Sequence, residues 1–125
     1  MKILVDSSVW IDYFKQGDRS TQLDHFIAHN LICINDLILT ELIPFLKVKK
    51  QEPVVDLLLK VTNIPLSIAW QRIIEYQAVF IEKGIKQIGI PDLIIFDQAR
   101  QHDLSLFTLE KHFFLMRKDF PVKLI

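Results

Sequence analysis

The sequence predicts an α/β fold built on a small parallel sheet. Short apolar and partly β-branched runs, such as Ile3-Leu4-Val5 and Leu31-Ile32-Cys33-Ile34, alternate with longer stretches of helical periodicity. The short runs are apolar at every position, the pattern of strands covered on both faces. Only 3 Gly and 5 Pro occur in 125 residues, so little of the chain is left for loops or linkers.

Taken in order, Lys2–Val5 reads as a buried strand. Ser7 and Ser8 offer caps for a helix through Phe14, which Gly17-Asp18 ends. Leu23–His29 is a second short helix and Leu31–Ile34 a second buried strand. Asp36 is expected to cap a helix carrying Leu37, Ile38, Glu41, Leu42 and Phe45, with Pro44 kinking or ending it. Pro53 opens a helix over Val54–Val61, and Asn63–Leu66 is a weak third strand. Ser67 is placed to cap a longer helix to Lys83, with Trp70, Ile73, Ile74 and Ile81 on one stripe and Gly84 at its end. Pro91 suits the first residue of a helix through Gln101. Ser105–Leu109 is a strand, Glu110–Arg117 a short helix and Val122–Ile125 a last strand.

Composition bounds the rest. The length suits one domain over 1–125, and 50% hydrophobic with 24% charged residues excludes an intrinsically disordered chain. Lys+Arg and Asp+Glu are 15 each, so no strongly basic domain argues for non-specific nucleic-acid binding. The single cysteine, Cys33, excludes an intrachain disulfide and a cysteine zinc site, and a buried thiol fits a reducing cytoplasm. The apolar start meets Asp6 too soon for a signal peptide, and no run approaches the ~18 residues of a membrane span. A mean hydropathy of +0.26 is high for such a chain and points to a partner surface or a homodimer.

In parallel sheets the functional crevice lies beyond the carboxyl ends of the strands. Acids follow those ends here. Asp6 succeeds the first strand, Asp36 and Glu41 the second, and Glu110 the strand at Ser105–Leu109, while Asp92 opens a helix expected to begin at the same edge. Singly, Asp6 and Asp92 also read as helix-capping or dipole-facing acids. Four of these carboxylates, Asp6, Glu41, Asp92 and Glu110, converging on one edge repel one another unless a cation lies between them. Oxygen ligands without Cys or clustered His favour Mg²⁺ or Mn²⁺ over Zn²⁺, ions suited to phosphoryl-transfer chemistry.

Asp6-Ser7-Ser8-Val9-Trp10-Ile11-Asp12-Tyr13-Phe14 resembles the opening motif of PIN-domain nucleases, in particular VapC-type toxins. The resemblance continues through Thr40-Glu41-Leu42, Pro91-Asp92-Leu93-Ile94-Ile95 with Ala99, and Leu106 to Phe113, and so covers nearly the full length. It implies a three-layer α/β/α domain and a Mg²⁺-dependent endoribonuclease, with Mn²⁺ as a possible substitute. It further implies the toxin of a type II toxin–antitoxin pair, silenced by a cognate antitoxin. By the same resemblance Asp6, Glu41 and Asp92 match the family's metal-binding acids, and Ser8 matches the hydroxyl supporting the first acid. Glu110 falls where the family usually carries Asp, and its extra methylene points to water-mediated contact.

Other residues offer weaker signals. His112 follows Glu110 closely enough to contact phosphate, though it also reads as a packed surface histidine. Lys47, Lys49 and Lys50 form a basic run that reads either as an RNA-backbone track or as a solvated helix end. Asp97 lies about 140° round the helix from Asp92 and should face elsewhere. Asp12 reads as locally bonded. Trp10, Tyr13 and Phe14 crowd a helix too short to bury all three, which leaves part of the cluster for a partner. The expected partners are an RNA substrate, an antitoxin and a second copy, with no membrane. The alternatives are a non-catalytic RNA- or protein-binding module and another acidic metal-dependent hydrolase. An aspartyl phosphatase is disfavoured, because Ser8 stands where it needs a second Asp.

Overall fold

A computed structural model of the chain describes residues 2–125. Five strands form one sheet: β1 (Ile3–Val5), β2 (Ile32–Ile34), β3 (Thr62–Asn63), β4 (Ser105–Phe107) and β5 (Lys123–Leu124). Their order is β3-β2-β1-β4-β5 and every pairing is parallel. Seven helices connect them: α1 (Ser7–Phe14), α2 (Ser20–Ala28), α3 (Asp36–Val48), α4 (Glu52–Leu59), α5 (Trp70–Glu82), α6 (Ile90–Gln101) and α7 (Lys111–Met116).

The topology fixes the layers. The chain steps outward from β1 to β3, then returns past β1 to β4 and β5. Right-handed crossovers then place α1 to α4 on one face and α5 to α7 on the other. The packing agrees: α1 lies on α2 and α3, α3 on α4, and α5 on α6. This is the expected three-layer α/β arrangement, with a sheet that is wholly parallel. The three central strands are buried at every residue, as their unbroken apolar runs require. Cys33 is among them, and burial pushes its thiol up to about 11, which makes it a poor nucleophile.

Several local expectations are corrected. Asn35, not Asp36, caps α3: its Oδ1 accepts from the Ile38 amide at 2.8 Å, and Asp36 is the first helical residue. Pro44 does not end α3, which runs on to Val48. Pro44 and Thr40 are both exposed, so the carbonyl deprived of its usual amide partner can reach water. Ser67 caps nothing, because α5 starts at Trp70 with Ala69 before it. The buried stripe of α5 is Ile73, Tyr76 and Phe80, whereas Trp70, Ile74 and Ile81 are exposed. Both stripes of α5 are apolar, and the aromatic one packs inward, with Tyr76 and Phe80 edge-on to Phe120. The third strand is displaced to Thr62–Asn63, and α2 begins three residues before Leu23, at Ser20.

The scarcity of glycine also has an unexpected form. Gln16, Asn30, Lys50 and Asp103 all carry positive φ just beyond a helix end, where glycine is usual. At each, the next amide reaches back to close the last turn, as Gln51 does to the Leu46 carbonyl at 2.9 Å. Gly17 serves a different purpose from ending α1. A Cβ there would lie 2.0 Å from the Asp12 carboxylate, which accepts the Arg19 amide at 3.0 Å. Asp12 is therefore a loop-holding acid, locally bonded as expected.

Candidate metal centre at the carboxyl edge of the sheet

Register alone assembles the base of the site. Val5 pairs with Phe107, and Leu4 with Cys33, so Asp6, Thr108 and Asn35 follow at one level on the carboxyl edge. Here β1 meets β4, where the strand order reverses, the place at which such sheets bind ligands.

Asp6 is buried at the N-cap position of α1, yet makes no capping bond. Its Oδ2 instead accepts the Ser8 hydroxyl at 2.7 Å and the Thr108 hydroxyl at 2.9 Å. Those hydroxyls are held in turn: Ser8 Oγ accepts the Leu109 amide at 3.0 Å, and Thr108 Oγ1 accepts the Glu110 amide at 2.9 Å. One carboxylate oxygen is thus locked and the other takes no hydrogen bond from the described residues. Thr108 is the site residue that the sequence reading did not single out. Its signal was a hydroxyl directly following a buried strand, opposite Asp6.

Three further acids come from separate elements. Glu41 stands in the second turn of α3, and Asp92 in the first turn of α6 behind Pro91. Glu110 caps α7, accepting the His112 amide at 3.4 Å, with His112 Nδ1 at 3.3 Å from the same oxygen. A buried bridge sets α3 against α6: Asn35 Nδ2 donates to Gln98 Oε1 at 2.7 Å, and Gln98 Nε2 donates to the Ile64 carbonyl at 3.1 Å.

The acids feel one another. Burial chiefly, then the charges of Asp6 and Glu110, push the Asp92 carboxyl up to about 6, with His112 opposing. Partial desolvation, then Asp6 and Asp92, raise Glu41, with the Ser7 hydroxyl opposing. Among the described residues, no three His, Cys, Asp or Glu side chains converge closely enough to form a finished cage. The donor set is nevertheless oxygen-only and its mutual repulsion only partly relieved by Ser7 and His112, which fits a hard divalent cation.

The other candidates disperse. Asp97 is buried on a different face, accepting Arg72 Nε at 3.0 Å and the Tyr76 hydroxyl at 2.6 Å. These bonds lower its pKa against the opposing effect of burial. Asp36 accepts from Asn63 Nδ2 at 2.8 Å. The basic run splits: Lys47 is in the last turn of α3, Lys49 is its C-cap, and Lys50 is in the left-handed turn beyond. Trp10 is buried, while Tyr13 and Phe14 are half-buried against the core. No described helix is long and apolar enough to cross a membrane.

Solved structures share this architecture. The VapBC2 complex of Rickettsia felis bound to a promoter DNA fragment matches with a TM-score of 0.77 at 20% identity, over 100% of this chain and 98% of that one. A toxin–antitoxin complex from Klebsiella pneumoniae matches at 0.68 and 24% identity, over 99% and 96%. A sarcin-ricin-loop-cleaving VapC toxin of Mycobacterium tuberculosis matches at 0.63 and 13% identity, over 91% and 94%. No curated protein matches the chain in sequence. The PIN domain family model matches residues 3–118, and the chain belongs to that family.

Proposed function

We propose that the chain is a Mg²⁺-dependent endoribonuclease, with Mn²⁺ able to substitute, and the cytoplasmic toxin of a type II toxin–antitoxin pair. The observation that carries this reading is the gathering of three further acids, Glu41, Asp92 and Glu110, towards Asp6 at the sheet's switch point. Membership of the PIN family supports a nuclease. The structural likeness to VapBC complexes and to an RNA-cleaving toxin supports the narrower reading.

On this reading Asp6, Glu41 and Asp92 hold the cation. A bound Mg²⁺ supplies charge stabilisation for the phosphate and activation of a water for attack. Ser8 and Thr108 fix the Asp6 carboxylate so that it need not be ordered at the moment of binding. Glu110, anchored as a helix cap, would contact the cation through water, and His112 beside it would be available to the phosphate. EDTA should abolish cleavage of structured RNA, and added Mg²⁺ or Mn²⁺ should restore it. Full activity in EDTA would instead leave a metal-independent module.

The partner reading rests on apolar surface. Trp10, Phe14, Ile27 and Leu57 help line a trough of about 290 Å³, in which the Trp10 indole N–H is buried without an acceptor among the described residues. The apolar and aromatic lining suits an antitoxin segment that brings apolar side chains. Trp70, Ile74 and Ile81 leave α5 an exposed apolar face suited to a second copy. Light scattering should report a dimer that Ile74→Lys converts to monomer. A wild-type monomer at high concentration refutes the self-association.

A further inference from the structure

We infer that a groove beside the acids seats an unpaired base of the RNA substrate against Phe45, with Lys15 and Lys49 holding the adjacent phosphates. The inference rests on the ribonuclease reading and names how that site grips its substrate. The groove has a volume of about 650 Å³ and lies between α1 and α3, with Gln51 and Val54 at its far end. Glu41 lines it, so it opens directly from the acidic centre.

Phe45 is 62% exposed, and Ile11 on the facing helix is 44% exposed. Helix geometry places Glu41, Phe45 and Lys49 one turn apart along the same side of α3, about 6 Å between successive members. A base on Phe45 would therefore belong to a nucleotide next to the scissile phosphate. Base–aromatic stacking tolerates any base, because every base offers a π-face. Lys49 Nζ lies 5.7 Å from the Phe45 ring centroid, a weak contact that it can exchange for a phosphate. Lys15 stands on the opposite wall.

Two cations at the rim of an apolar slot fit an anionic chain carrying flat bases, and this favours RNA over a protein segment. The neighbouring trough at Trp10 has no charged residue in its lining and suits protein better. The charge also explains how a chain of zero net charge engages RNA, since the basic groups need only be local. The lysine run contributes through Lys49; Lys47 and Lys50 are not in the lining.

The test uses full-length protein and a fluorescein-labelled single-stranded RNA dodecamer of mixed sequence, read by anisotropy in EDTA. Phe45→Ala should weaken binding about tenfold, and Phe45→Trp should restore it. Lys49→Gln should lower the salt slope of binding by about one, while Lys86→Gln, in the loop after α5, leaves it unchanged. In Mg²⁺, Phe45→Ala should raise KM with little change in kcat, because stacking is uniform binding. Phe45 is exposed, so its loss should leave the thermal transition in place. Undiminished RNA binding by Phe45→Ala, with wild-type cleavage still metal-dependent, overturns the groove assignment alone. The same result with loss of antitoxin binding overturns it in favour of a protein occupant. Failure of wild-type protein to bind or cleave any RNA overturns both readings.

Discussion

Asp6→Asn is expected to abolish RNA cleavage and to leave the fold intact. Asparagine keeps an oxygen to accept from Ser8 and Thr108, so the hydroxyl pair that ties β1 to β4 survives. What disappears is the charge at the centre of the acidic cluster, on the oxygen free to meet a cation. Raising Mg²⁺ should not rescue it, because a hard cation bound by few protein ligands gains little from a neutral amide. Glu110→Gln is the informative contrast. Glu110 is already engaged as the cap of α7 and by His112, and its longer side chain costs more entropy to order than Asp. Its loss should reduce activity only about 10–100-fold, recoverable in part at high Mg²⁺. Metal titrations of both variants on one RNA substrate decide the matter. If Glu110→Gln is as inactive as Asp6→Asn at every concentration, Glu110 binds the cation directly.

Asp92→Asn should remove activity while stabilising the protein in EDTA at neutral pH. Burial, with the charges of Asp6 and Glu110, pushes the Asp92 carboxyl from the ordinary carboxylate range up to about 6 in the fold. An acid whose pKa is raised by folding is bound more tightly by its proton in the native state. Stability therefore falls as pH rises from about 4 to about 6, and the cost of the ionised form is complete above that window. Asparagine avoids this cost, a gain of about 1–2 kcal/mol at pH 7 after allowance for solvent screening, or a few degrees in Tm. The gain should vanish near pH 4, where wild-type Asp92 is protonated. Saturating Mg²⁺ should reverse the order of the two proteins, since the cation stabilises only the form that binds it. Calorimetry between pH 4 and 8, with and without Mg²⁺, reads all of this. A variant less stable than wild type in EDTA at pH 7 would show that Asp92 is structural.

Much of this was legible in the sequence, and the reasons differ by element. The unbroken apolar runs announced β1, β2 and β4, because burial on both faces leaves no room for alternation. The edge strands were blurred, since β3 and β5 have two residues each and carry exposed side chains. The acids after the strands could be placed at one edge by topology alone. Their support could not: Thr108 reaches Asp6 only through the register of β1 against β4, which no local pattern encodes. The same holds for Asn35, whose bond to Gln98 spans two layers of sequence-distant structure. Helix α5 was misoriented because periodicity counts apolar residues without weighing shape, and two apolar stripes competed. Pro44 misled because its usual cost falls away where the freed carbonyl meets water.

The hydroxyl clasp on Asp6 has a consequence in time. Its two halves, Asp6 and Thr108, are 102 residues apart in the chain. A ribosome adding about 5–20 residues each second needs roughly 5 to 20 s to go from one to the other. During that interval the nascent chain carries its first acid with only the neighbouring Ser8 hydroxyl to hold it. A product cut short before β4 lacks the strand, Thr108 and Glu110 together, and with them one side of the acidic edge. The acidic site can therefore close only after β4 has been made, and the proposed cleavage has to wait for that strand.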